Sequence, residues 1–159
     1  MTQLQTGQTV PEFEAPCTGG KPFRLADYKG KRLLIYFYPK DNTPGCTLEG
    51  QNFRDNIQFF NANNTVIVGV SRDSLRKHEN FKAKQQFPFE LIADEDESVC
   101  QLFDVIQLKK NYGREYMGIV RSTFLIDEQG VLQHEWRNVK VKQHIDEVMT
   151  AISALKPNG

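Results

Sequence analysis

The run Leu33-Leu34-Ile35-Tyr36-Phe37-Tyr38, stopped by Pro39, constrains this fold more than any other stretch of the chain. A short apolar run without alternation predicts a strand buried on both faces, and proline cannot continue its hydrogen-bond ladder. Thr65-Val66-Ile67-Val68-Gly69-Val70 is a second such run. Between them Cys46, Gly50, Phe53, Ile57 and Phe60 recur at steps of four and three, which is one face of a helix. Strand, helix and strand in that order predict a right-handed βαβ unit, whose chemistry lies at the carboxyl end of the first strand.

Cys46 falls at that end. In Pro39-Lys40-Asp41-Asn42-Thr43-Pro44-Gly45-Cys46, Thr43 suits the N-cap and Pro44 the first helical position. The thiol then sits in the first turn, where unpaired N–H groups and the helix dipole favour negative charge. Such a thiol is expected to ionise below the ~8.5 of a free cysteine. A cysteine on an apolar stripe is ordinarily a small buried hydrophobe; the capping threonine and the rigid Pro39 beside it argue for a nucleophile.

The rest of the chain extends the sheet. Ser122–Asp127 and Val131–Trp136 read as strands joined by the turn Glu128-Gln129-Gly130. Residues 9–28, with Cys17-Thr18-Gly19-Gly20, read as a small hairpin. Helices are expected over Ser74–Gln86, Asp96–Asp104 and Val141–Leu155, the last ending before Pro157. The fold class is therefore α/β: a central mixed sheet flanked by helices with an N-terminal hairpin. Residues 1–159 are expected to form one domain, since no repeat or Pro/Gly/Ser-rich linker divides them.

Composition narrows the function. Twenty basic and twenty acidic residues cancel, so no overall field recruits nucleic acid or a membrane surface. No apolar stretch approaches a membrane span, and Met1–Gly7 has neither the basic start nor the apolar core of a signal peptide. Three cysteines without regular spacing make no secreted disulfide framework, so a cytoplasmic location is expected. His78, His134 and His144 are scattered outside any zinc spacing, and no metal site or Gly-rich phosphate loop is expected. A Cys–His hydrolase needs a base that sequence cannot place beside Cys46. Without a C-x-x-C pair, a dithiol reductase is disfavoured. Lys109-Lys110-Asn111-Tyr112-Gly113-Arg114 is expected to be a solvated loop rather than a contact for nucleic acid.

Pro39-x3-Thr43-x2-Cys46-x2-Glu49 is similar to the peroxiredoxin active-site motif. Tyr36–Asp41, Thr43–Thr47 and Gly118-Ile119-Val120-Arg121-Ser122-Thr123-Phe124-Leu125-Ile126-Asp127 resemble the bacterioferritin comigratory protein (Q-type) branch, and the likeness runs from Gly7–Phe13 to the last helix. The resemblance implies a thioredoxin-like fold and a peroxidase that reduces hydrogen peroxide and organic hydroperoxides without a cofactor. It implies Cys46 as nucleophile, with Thr43, Pro39 and Arg121 forming the pocket and Glu49 holding the arginine. Donors placed around the departing oxygen would stabilise its charge, and the cysteine would become a sulfenic acid.

Many members of that branch carry a second cysteine five residues after the first; here Gln51 stands there. Residues five apart on a regular helix have Cα atoms more than ~7 Å apart, so that pairing would in any case require unwinding. Cys100 beside an apolar stripe reads as core, while Cys17 in a Gly-rich turn reads as exposed. A one-cysteine cycle follows, resolved by an external thiol such as thioredoxin, glutaredoxin or glutathione, in a monomer or weak dimer. The alternative is a redox-responsive binding or holdase protein in which Cys46 signals without turning over.

Overall fold

In the computed structural model, which describes residues 4–155, five strands form one sheet. The buried run predicted at 33–38 is β3 (Arg32–Phe37), at the centre of that sheet. It pairs in parallel with β4 (Thr65–Ser71) and antiparallel with β8 (Ser122–Ile126). β5 (Glu90–Ala93) extends the parallel half beyond β4, and β9 (Leu132–Arg137) the antiparallel half beyond β8. The sheet is therefore mixed, and its fold is thioredoxin-like. β5 is not foreseen from sequence, because Glu90-Leu91-Ile92-Ala93 is too short to show a period.

Side chains of β3 alternate between two cores. Leu33, Ile35 and Phe37 pack with Val99, Cys100, Phe103 and the N-terminal segment. Leu34 and Tyr36, followed by Tyr38 in the loop, pack with Cys46, Phe53, Phe60, Phe81 and Val148. The second core lies under α1 (Pro44–Asp55), α2 (Ile57–Ala62), α3 (Leu75–Gln85) and α5 (Val141–Ser153). The first is closed by α4 (Ser98–Leu102) and by the N-terminal hairpin of β1 (Glu14–Ala15) and β2 (Phe23–Arg24).

Three local expectations are corrected. The stripe from Cys46 to Phe60 is two helices, because Asn56 turns its amide back to the Asn52 carbonyl (2.8 Å) and leaves helical geometry. The segment 109–114 is the end of a hairpin, β6 (Ile106–Asn111) with β7 (Arg114–Ile119). Its two turn residues, Tyr112 and Gly113, both have positive φ, the geometry that suits the twist of a two-residue hairpin. Tyr-Gly lacks the usual Asn-Gly signature, which is why the turn is hard to see in the sequence. Cys17 is buried rather than exposed, because Cys17 bridges to Ile92 at the sheet edge. Pro157, expected to stop the last helix, and Met1–Gln3 lie outside the described residues.

One glycine sets how closely α1 packs. A Cβ on Gly50 would stand 2.4 Å from the Phe87 ring. That ring is wedged between Phe81 and Phe89, with centroids 5.1 and 4.9 Å away, so it cannot yield. Gly50→Ala is expected to cost about 1–3 kcal/mol by overpacking, outweighing a helix-propensity gain of about 1 kcal/mol. A urea midpoint equal to or above that of the parent chain would contradict this.

Candidate active site

Cys46 lies in the first turn of α1, as its spacing from Thr43 and Pro44 predicts, and is 2% exposed. The loop from β3 delivers it: Tyr38 N–H still bonds to the Val70 carbonyl (3.0 Å), and Pro39 follows, half-buried. Thr43 occupies the N-cap position with extended backbone, and Pro44 opens the helix. The Thr43 side chain does not cap. Its hydroxyl donates instead to the Lys40 carbonyl at 2.8 Å, inside the loop. With its hydrogen engaged there, the Thr43 oxygen presents lone pairs and acts as an acceptor.

Arg121 arrives from the other half of the sheet, just before β8, with its carbonyl accepting from Val139 N–H (2.9 Å). Its Nη2 donates to Cys46 Sγ at 3.4 Å and its Nη1 to Glu49 Oε1 at 2.6 Å. The tertiary fold thus joins residues 75 apart in sequence. Gly45 permits the approach, since a Cβ there would stand 3.2 Å from Arg121 Nη2. The sequence does not show that Gly45 must lack a side chain, because that need arises only once Arg121 is in place.

Glu49 is buried, and its Oε2 has no hydrogen-bond partner among the described residues. Burial pushes its carboxyl from 4.5 up to about 7, although the Arg121 charge and hydrogen bond pull the other way. Burial works against the Arg121 charge too, but Glu49 and Cys46 more than offset it and hold the guanidinium protonated. A carboxyl raised in the fold stays protonated while the unfolded chain ionises. Its favourable contribution is complete below about pH 4.5 and is lost as pH rises to about 7. The stability of the parent chain relative to Glu49→Gln is therefore expected to fall across that window and stay level above it. Urea titrations in which the parent chain holds or gains stability relative to Glu49→Gln as pH rises from 4.5 to 7 would refute this assignment.

The other ionisable candidates sit elsewhere. His144 Nε2 lies 2.7 Å from Thr123 Oγ1, and burial, aided by Arg121, lowers its pKa to about 4, leaving a neutral ring at neutral pH. His134 stacks on Trp136 at the surface, and His78 is buried against Asp41. Cys46 Sγ therefore has a guanidinium partner where a hydrolase would need an imidazole base. Asp41, Asp73 and His78 gather ligand-type atoms within 4.8 Å, but both side chains of the Asp41–His78 pair are already hydrogen-bonded. Asp73 Oδ2 accepts from Asp41 N–H and Ser71 Oγ.

Cys17 and Cys100 belong to the core across the sheet from Cys46. Burial, reinforced by Glu90, raises the Cys17 thiol to about 11, and burial beside Asp94 raises Cys100 further. Gln51 lies on α1 with its amide donating to Gln85 Oε1 of α3 (3.0 Å).

The AhpC/TSA family pattern matches residues 6–135. The chain belongs to that family and is a peroxiredoxin, a thiol peroxidase. It is 50% identical to Peroxiredoxin Bcp of Bacillus subtilis over 94% of this chain and 95% of that one. Identity to Peroxiredoxin Bcp of Xanthomonas campestris is 47%, covering 97% and 98% of the two chains. The structure of a cysteine-to-serine mutant of Xylella fastidiosa PrxQ superposes with a TM-score of 0.90 at 39% identity, covering 97% of this chain and 98% of that one. Xanthomonas campestris Peroxiredoxin Q gives a TM-score of 0.85 at 46% identity over 89% and 90% of the two chains.

Proposed function

We propose that Cys46 reduces hydrogen peroxide and organic hydroperoxides through a sulfenic acid that an external thiol resolves. The observation that carries this reading is the contact of Arg121 Nη2 with Cys46 Sγ at 3.4 Å, on a guanidinium pinned by Glu49. A fixed positive charge there stabilises the thiolate and the charge that grows on the departing oxygen.

The Cys46 thiolate attacks the nearer peroxide oxygen in line. The O–O bond breaks as the S–O bond forms, and the attacked oxygen keeps its hydrogen as Cys–SOH. The second oxygen leaves with the electron pair and takes a proton from solvent to become water or an alcohol. Thr43, with its own hydrogen bonded to Lys40, accepts from the peroxide O–H and sets its orientation. Pro39 walls the loop side and limits which molecules approach.

External resolution is supported by the placement of the other thiols. Cys17 and Cys100 are buried on the opposite face of the sheet, and Gln51 has no thiol to offer. Thioredoxin, glutaredoxin or glutathione supplies a thiol that displaces water from Cys–SOH; a second thiol then frees Cys46. The protein acts in the cytoplasm as a monomer or weak dimer in redox homeostasis and antioxidant defence. Among the described residues, no helix is long and apolar enough to cross a membrane.

The test is mass spectrometry after one equivalent of peroxide, with and without a sulfenic-acid trap, beside steady peroxide consumption with each reductant. A trapped adduct at Cys46 and sustained turnover are expected. A Cys46–Cys17 or Cys46–Cys100 bridge would overturn external resolution. Oxidation without turnover under any reductant would favour a sensor or holdase.

A further inference from the structure

Asp41 lies two residues before Thr43, in the loop that delivers Cys46, and its carboxylate is almost fully buried. Three contacts hold it. Its backbone N–H donates to Asp73 Oδ2 (2.9 Å), and its Oδ1 accepts from the Tyr38 hydroxyl (2.6 Å). Its Oδ2 stands 2.7 Å from His78 Nδ1 on α3, and that ring is 0% exposed.

The protonation of His78 follows from its second partner. His78 Nε2 faces the Ile92 carbonyl at 2.8 Å, and a carbonyl only accepts, so Nε2 carries a hydrogen. One proton then lies between Nδ1 and Oδ2, completing a chain from Tyr38 through Asp41 and His78 to β5. Asn42, next in the loop, has φ +63°, a left-handed turn conformation that asparagine tolerates. Thr43, whose hydroxyl reaches back to Lys40, follows directly.

We infer that Asp41 and His78 are positioning residues for peroxide reduction. Their buried hydrogen bonds lock residues 39–43 onto α3 and β5, so that Thr43 and Pro39 face Cys46 in the geometry in-line attack requires. The inference rests on the proposed assignment of this loop to the peroxide pocket. Neither side chain touches the reacting atoms, so its effect is confined to a reaction that depends on that geometry. Alkylation of Cys46 by iodoacetamide needs the thiolate but not the pocket, and it separates positioning from general support of the fold.

The experiment compares the peroxide oxidation rate of Cys46 with its iodoacetamide alkylation rate in folded variants. Asp41→Ala is expected to slow oxidation about tenfold while alkylation changes less than about twofold, because loss of near-attack geometry costs rate steeply. Asp41→Asn, which still accepts from Tyr38 and donates to His78 Nδ1, is expected to restore most of the oxidation rate. Should Asp41→Ala fail to fold, Tyr38→Phe removes one bond of the chain and keeps the packing; about a threefold selective loss is expected. Oxidation at the parent rate, equal losses in both reactions, or no recovery in Asp41→Asn would overturn the inference. Thr43→Val distinguishes the two levels. Parent-like oxidation in Thr43→Val removes the loop from the pocket, whereas slow oxidation there beside a parent-like Asp41→Ala overturns only the positioning role.

Discussion

Cys46→Ser is expected to abolish peroxide consumption, with a loss of more than about a thousandfold, while leaving the fold intact. Serine matches cysteine in shape, but its hydroxyl stays protonated at neutral pH, and no base among the described residues adjoins it to remove the proton. The guanidinium beside Sγ stabilises an anion but cannot accept a proton, so the site has no means of activating a hydroxyl. Cys17→Ser and Cys100→Ser serve as controls, because both thiols are raised by burial on the other side of the sheet. Peroxide consumption with a thiol reductant checks all three. Full activity in Cys46→Ser would remove the nucleophile from the proposed reaction.

Arg121→Ala is expected to slow oxidation of Cys46 about a hundredfold, the scale on which removal of one transition-state donor is felt. In the proposed mechanism the rate falls because a single guanidinium acts on both the thiolate and the departing oxygen. Arg121→Lys should recover only part of it, since an ammonium cannot serve Cys46 and Glu49 with two separate nitrogens. Arg121→Ala also leaves the Glu49 carboxyl buried without its cation. Burial holds that carboxyl at about 7 even beside Arg121, so without the cation it stays protonated at neutral pH, and the stability loss expected is that of a lost buried hydrogen bond, about 1–2 kcal/mol. Single-turnover oxidation, followed through the lone Trp136, and urea denaturation measure the two effects separately. An unchanged oxidation rate in a folded Arg121→Ala would remove Arg121 from the mechanism.

Much of the scaffold is legible because it is written in local periodicity. The run 33–38 forms the central strand, and the helix expected over Ser74–Gln86 is α3, with Ser74 as its N-cap accepting from Lys77 N–H. Local signals fail where a side chain has two possible partners. Thr43 is expected to cap α1, yet its hydroxyl turns to the Lys40 carbonyl, and only the shape of the loop decides between them. Asn56 breaks a continuous apolar stripe for a similar reason, by bonding back to its own helix. The β6–β7 hairpin is hidden by charged residues whose exposure resembles that of a loop.

By itself the sequence determined that a thiol stands at the start of a helix beside the end of a buried strand, because capping, proline placement and apolar spacing are local. It also determined that the position five residues on holds an amide instead of a second thiol. The tertiary structure decided what surrounds that thiol. Arg121 reaches it from across the sheet, Gly45 leaves room for the guanidinium, and the sheet separates Cys46 from both other cysteines. These relations join residues distant in sequence, and their energies depend on burial and on approach within hydrogen-bond distance, neither of which exists until the chain has folded.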